Sequence, residues 1–137
     1  MGVMGDDDEL NIEIPSELRG WWRIIETSRW SSRFLDGLGP AVISLTGNSD
    51  RLRMQCLLAY VVVKPTKTGV SFTWEGAWEF DPMTGTGTAK VGKDGRLKGT
   101  IKIEGGDDST FTAEKTTEPD EAIPHPPSYR DKWRRRW

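Results

Sequence analysis

A single histidine, His125, and a single cysteine, Cys56, limit nucleophilic and metal chemistry before any fold is considered. His125 lies in Ile123-Pro124-His125-Pro126-Pro127, and a proline-rich segment of this kind holds no positioned site by itself. No cluster of histidines and cysteines stands at zinc spacing, and neither a Ser-His-Asp set nor a Cys-His pair can be built. Cys56 sits in an apolar run, where a buried, unreactive thiol is the expected state. Carboxylates remain. On an extended strand Glu75 and Glu79 share a face about 13 Å apart, beyond the roughly 5 to 9.5 Å of glycosidase pairs. Glu79 and Asp81, about 6.6 Å apart, fit on distance but point away from the apolar side of the strand, which reads as a solvated surface. Asp107 and Asp108 read as turn residues, and Gly85-Thr86-Gly87 falls in a hairpin without opening a helix, so no phosphate loop is formed. No catalytic residue, metal ligand or cofactor is predicted, and the chain reads as a binding protein rather than an enzyme.

The stretch that organises the rest runs from Gly69 to Asp81. Phe72, Trp74, Gly76, Trp78 and Phe80 fall on one face, and Ser71, Thr73, Glu75, Ala77, Glu79 and Asp81 on the other, the period of a strand with one buried side. The remaining elements must cover that aromatic face. Two interiors are compatible with it. The tryptophans can pack over Gly76, Gly87 and Gly99 as large against small, which fills the barrel. Alternatively the inward glycines leave a cavity that accepts a small hydrophobic or aromatic ligand, with Trp22, Phe72, Trp74, Gly76, Trp78 and Phe80 as the binding residues. The expectation carried forward is ligand binding inside the barrel. The alternative is a protein-interaction or structural module acting through its surface and C-terminal tail.

Around that strand the chain divides into an acidic arm over 1–11, a β-domain over 12–117 and a Pro-rich, basic tail over 118–137. Ile14 to Gly20 reads as one helical turn, with Pro15 suited to its start, Ser16 able to cap it and Gly20 ending it. Strands are predicted at Trp21 to Thr27, Pro40 to Thr46 and Arg51 to Val63, then the aromatic strand, then Gly85 to Val91, Arg96 to Glu104 and Ser109 to Thr116. Between the first two strands, Trp30, Phe34 and Leu35 stand at roughly helical spacing and form a lid or a wide loop. Gly47-Asn48-Ser49-Asp50, Asp81-Pro82-Met83-Thr84-Gly85, Gly92-Lys93-Asp94-Gly95 and Gly105-Gly106-Asp107-Asp108 are the turns. The fold class is all-β, an up-and-down antiparallel barrel of seven or eight strands. Outward Glu75, Glu79 and Asp81 beside outward Lys90, Arg96, Lys98 and Lys102 are expected to favour the pairing order.

A helical turn leading into Gly20-Trp21-Trp22, followed by a meander of hairpins, resembles the calycin group of lipocalin-like barrels, in which Gly-x-Trp opens the first strand. The resemblance implies that a basic residue late in the last strand, Lys115 here, packs on Trp22. The span from Gly20 to Lys115 is also similar to small bacterial proteins of uncharacterised function that carry Phe-x-Trp-x-Gly, Gly-x-Gly and Gly-Asp-Asp-Ser. Those motifs stand here as Phe72-Thr73-Trp74-Glu75-Gly76, Gly85-Thr86-Gly87 and Gly106-Asp107-Asp108-Ser109. That second resemblance implies a fold and no activity.

At 137 residues and 35% apolar content the chain is long enough for one core and no second. The net charge of −2 gives no overall case for nucleic acid. Tyr129 to Trp137 sets Trp133 and Trp137 among Arg130, Lys132, Arg134, Arg135 and Arg136, a composition able to touch anionic lipid or nucleic acid, although a solvated or locally packed end is the simpler reading. A lone cysteine and the lack of a leader-like or membrane-length apolar run lead to a cytoplasmic expectation.

Overall fold

Two turns of two residues each decide the strand count, and neither carries a turn-forming residue at its centre. A computed structural model describes residues 14–79 and 81–126. Its eight strands are β1 (Gly20–Thr27), β2 (Val42–Leu45), β3 (Asp50–Met54), β4 (Leu57–Pro65), β5 (Val70–Trp78), β6 (Asp81–Val91), β7 (Leu97–Ile103) and β8 (Asp108–Thr116). Each pairs antiparallel with the next, and β1 pairs with β8, so the sheet is a closed up-and-down barrel. The long strand expected over Arg51 to Val63 is therefore two strands, because Met54 pairs with Leu57 and Gln55-Cys56 forms the loop between them. Likewise Trp78 pairs with Asp81, so the chain reverses between these two residues rather than at Pro82 to Gly85. Gln55 and Glu79 take φ of 53° and 59°. Neither is glycine or asparagine, which is why the periodicity ran on through both turns. The two reversals sit side by side, since the Glu79 amide donates to the Cys56 carbonyl at 3.0 Å. Glu79 and Asp81 thus straddle a reversal and share no strand face.

The inner face follows the period of two. Trp22 and Ile24 on β1, Leu52 and Met54 on β3, Phe72 and Trp74 on β5, Ile101 on β7, and Phe111 and Ala113 on β8 are buried in one continuous cluster. Both ends of the cylinder are plugged. At one end the turn after Pro15, closed by Leu18 and Arg19 amides on the Pro15 carbonyl, sends Ile14 and Leu18 into the core. At the other, the β1–β2 connection makes a short 3₁₀ turn at Ser32–Phe34, buries Leu35 and receives the Gln55 amide on the Leu35 carbonyl at 2.7 Å. Trp30 from the same connection lies against Trp78 with ring centroids 5.5 Å apart. The segment expected as a lid or a wide loop is thus a largely exposed connection that stoppers this end with Leu35 and Trp30.

The β2–β3 turn is held by the buried carboxylate of Asp50, which accepts from Ser44 Oγ at 2.9 Å, the Thr46 amide at 2.8 Å and the Gly47 amide at 2.7 Å. Beyond Thr116 the chain leaves β8 beside Trp21 of β1 and reaches the outward side chains of β3 and β4. There Arg51 donates to the Ile123 carbonyl at 3.4 Å and His125 Nδ1 lies 2.8 Å from Tyr60 Oη. Residues 117–126 therefore form an external strap, and the histidine is a docking residue of that strap. No helix among the described residues is long and apolar enough to cross a membrane.

Positive φ costs an L side chain roughly 1 to 2 kcal/mol that glycine avoids, less the backbone entropy glycine loses. Gln55→Gly and Glu79→Gly are each expected to stabilise the protein by about 0.5 to 1 kcal/mol, read as a rise of a few degrees in thermal midpoint. A lower midpoint for either variant would show that its side chain holds the reversal in a way the backbone does not reveal.

Candidate functional site

Six residues were expected to line an interior site, and the described barrel brings Trp22, Phe72 and Trp74 into one core. They are 1%, 2% and 2% exposed. The reason is visible in the register. Phe72 stands opposite Gly87 and Trp74 opposite Gly85 on the neighbouring strand β6. A Cβ added at Gly87 would lie 2.2 Å from the Phe72 ring, and one at Gly85 would lie 2.5 Å from the Trp74 ring. Phe111 repeats the arrangement over Gly99, at 2.9 Å, across β7 and β8. Each ring thus occupies the space that a side chain on the next strand would need. The Trp74 indole N–H is satisfied by the Thr86 carbonyl at 3.3 Å.

Gly85 and Gly99 are also hemmed by backbone, with the Lys102 and Thr88 carbonyl oxygens each 1.9 Å from an added Cβ, and Gly76 shares that constraint with no ring among its nearest neighbours. A Cβ on Gly76 would stand 1.9 Å from the Leu58 carbonyl oxygen, so the side chain is excluded by the close approach of β4 rather than by anything inside the barrel. A Gly76→Leu variant consequently reports on strand spacing and not on a cavity. Trp78 is half-buried at the stoppered end against Trp30. Phe80 lies outside the described residues.

The arrangement implied for Gly20, Trp22 and Lys115 is present. The Trp22 indole N–H donates to the Leu18 carbonyl at 2.8 Å, and Lys115 Nζ sits 4.8 Å from the centre of the indole ring while donating to the Arg19 carbonyl. Gly20 has φ +128°, and a Cβ on it would meet Lys115 Nζ at 2.9 Å. Burial lowers the Lys115 pKa below the ordinary lysine value, while the indole face and the carbonyl oppose this by favouring the ammonium. This contact ties the entry of the first strand to the exit of the last.

The concave features with room for a partner lie outside. On the outer wall of β4–β7 the short side chains of Thr73, Thr84 and Thr86 lie between taller rims at Tyr60, Val62 and Lys102, leaving a groove of about 640 Å³. Val62 is 61% exposed and Tyr60 40%, the two large hydrophobic side chains most open on this wall among the described residues. Two further grooves of about 480 and 450 Å³ continue it toward the β6–β7 hairpin. From the sequence this wall was legible only as charges that favour strand pairing. The signal available was Thr84-Gly85-Thr86-Gly87-Thr88, in which hydroxyls alternate outward with inward glycines.

The charge pattern expected to favour the pairing order also differs. Glu75 faces Thr84 across β5–β6, and Lys90 stands directly opposite Lys98 across β6–β7. The register is set by the inner rings, not by outer charges. Among the described residues no cluster of three or more histidine, cysteine, aspartate or glutamate side chains could hold a metal ion. No protein-family model, curated protein or solved structure matches the chain.

If Lys115 joins the first and last strands through Trp22, Lys115→Met should destabilise the fold by about 0.5 to 1 kcal/mol while Lys115→Arg restores most of that. Chemical denaturation of the two variants decides it, and a Lys115→Met protein as stable as the parent would remove the contact's structural importance.

Proposed function

We propose that the chain is a calycin-like binding module in which the inner wall is structural and the outer wall of β4–β7 recognises the partner. The observation that carries this reading is the seating of Phe72, Trp74 and Phe111 on Gly87, Gly85 and Gly99, which spends the inward glycines on ring packing. With both ends stoppered by Leu18 and Leu35, a ligand would have to displace core side chains to enter. The calycin-like element of the reading is supported by the turn before β1, by Gly20-x-Trp22 and by Lys115 on the indole face. The outer wall offers what the interior does not: adjoining grooves, exposed Tyr60 and Val62, and a row of hydroxyls already held in register by the strands beneath. This is the interaction-module alternative drawn from the sequence, read here onto the outer wall of β4–β7.

Two measurements separate it from an interior carrier. Dodecanoic acid and indole-3-acetic acid are expected to give no saturable change in tryptophan emission. A saturable change that Trp74→Phe abolishes would return the interior reading. Thr86→Arg, an exposed change that fills the first groove, should leave stability within about 0.5 kcal/mol. In amide spectra of the parent, shifts produced by members of a peptide and glycan panel should fall on Tyr60, Val62, Thr73 and Thr86 and vanish in Thr86→Arg. Shifts confined to Trp22, Phe72 and Phe111 would overturn the proposal.

A further inference from the structure

The grooves of the outer wall differ in charge. The first has Glu75, Glu104 and Asp108 in its lining. The second is lined by Lys64 and Lys102 with Ser71, Thr73, Thr86 and Thr88 between them, and the third by Lys90 and Lys98 with Thr66, Thr68 and Thr100. Neither the second nor the third contains a carboxylate, and because they share Thr88 and Thr100 they form one trough, which meets the acidic first groove at the shared Val62, Thr73, Thr86 and Lys102.

Two lysines of this trough, Lys90 and Lys98, are placed against the interests of the fold, whereas Lys102 stands opposite Asp108 across β7–β8. Lys90 is directly opposite Lys98, and like charges facing across neighbouring strands are destabilising. Asp94 offsets part of that repulsion, 3.9 Å from Lys98 Nζ. Among the described residues Lys64, Lys90 and Lys102 enter no ion pair. Lys98 and Lys102 are four residues apart on β7, about 13 Å, and Lys64 lies three strands from β7, about 14 Å across the sheet. Cations thus frame the trough at wide spacing, and neutral hydroxyls fill the area between them.

We propose that this trough binds a length of acidic polysaccharide, its sulfate or carboxylate groups on Lys64, Lys90, Lys98 and Lys102 and its hydroxyls on the threonine rows. The inference rests on the outer-wall reading and names the partner for its basic part. A polysaccharide alternates anionic groups with neutral hydroxyls, as the trough alternates ammonium with threonine. A single-stranded nucleic acid fits less well, because its binding draws on aromatic faces that stack the bases. The one aromatic residue lining the trough, Phe72, is 2% exposed and turned to the core.

The test uses the full-length protein with dextran sulfate as probe, neutral dextran as control and poly(U) as competitor. Calorimetry is expected to show binding of dextran sulfate that weakens as ionic strength rises, and no binding of dextran. Lys64→Gln combined with Lys102→Gln should lower that affinity about tenfold, with amide shifts at Thr86, Thr88 and Thr100 lost. Because the C-terminal sequence is itself basic, Arg134, Arg135 and Arg136 are replaced by Gln in a separate variant, which should bind as the parent does. The inference is overturned if the arginine variant loses binding while the lysine variant keeps it. It is equally overturned if poly(U) binds more tightly than dextran sulfate. If dextran sulfate fails to bind while peptides or neutral glycans still shift Tyr60 and Val62, this inference falls and the outer-wall reading stands. An unchanged thermal midpoint of each variant confirms that the fold is intact.

Discussion

Everything inside the barrel depends on aromatic rings lying over glycines of the neighbouring strand. An aromatic side chain is large enough to fill a small cylinder and flat enough to do so only where the wall beneath has no Cβ. Phe72 on Gly87 and Trp74 on Gly85 lock β5 to β6, and Phe111 on Gly99 locks β7 to β8. These contacts couple register to packing, because sliding either pair by one residue would drive a ring into a threonine backbone and turn the threonines inward. The barrel therefore needs little help from surface charge, and its outer wall is free to carry lysines in positions that a register built on ion pairs would forbid.

Closure is the second constraint. A meander of antiparallel strands ends in two open edges unless the first and last pair, and β1 joins β8 with a shift of one residue near Ile24 and Glu26. Lys115 and Trp22 add side-chain contact to that ladder, and the turn before β1 feeds Leu18 into the core below them. One end of the cylinder is thus sealed by residues that belong to the same joint that closes the wall. The other is sealed by Leu35 and Trp30, which come from the longest connection in the barrel.

The fold was legible in the sequence to the extent that turns announced themselves through glycine, asparagine, aspartate or proline. Gly47 to Asp50, Gly92 to Gly95 and Gly105 to Asp108 lie at or beside strand ends as expected. The reversals at Gln55-Cys56 and between Trp78 and Asp81 were illegible because local propensity gives no hint of them, and the strain at Gln55 and Glu79 is supported by tertiary pairing on both sides. The identity of the inner face was readable from alternation alone. What filled that face was not, since a glycine in a strand marks either a gap or a close approach, and the sequence does not distinguish Gly76, which meets only backbone, from Gly85, which meets both a carbonyl and the Trp74 ring. The outer grooves escaped notice because they arise from strands brought together from β4 to β7, and no single segment contains the pattern.

The strap beyond β8 changes how such a cylinder can come apart. A barrel of staves fails at its seam, and the joint between β1 and β8 is the one made by strands farthest apart in the chain. From that seam residues 117–126 reach past the positions of β1 and β2 to hold Arg51 and Tyr60, as a hoop passes over the outside of the staves it binds. Prising the seam open requires the hoop to let go on the far side as well. Terminal strands usually fray first and exchange their amide hydrogens by small local openings. Here the first and last strands are drawn into the same cooperative unit as the middle of the sheet, and residues 117–126 serve as its fastening.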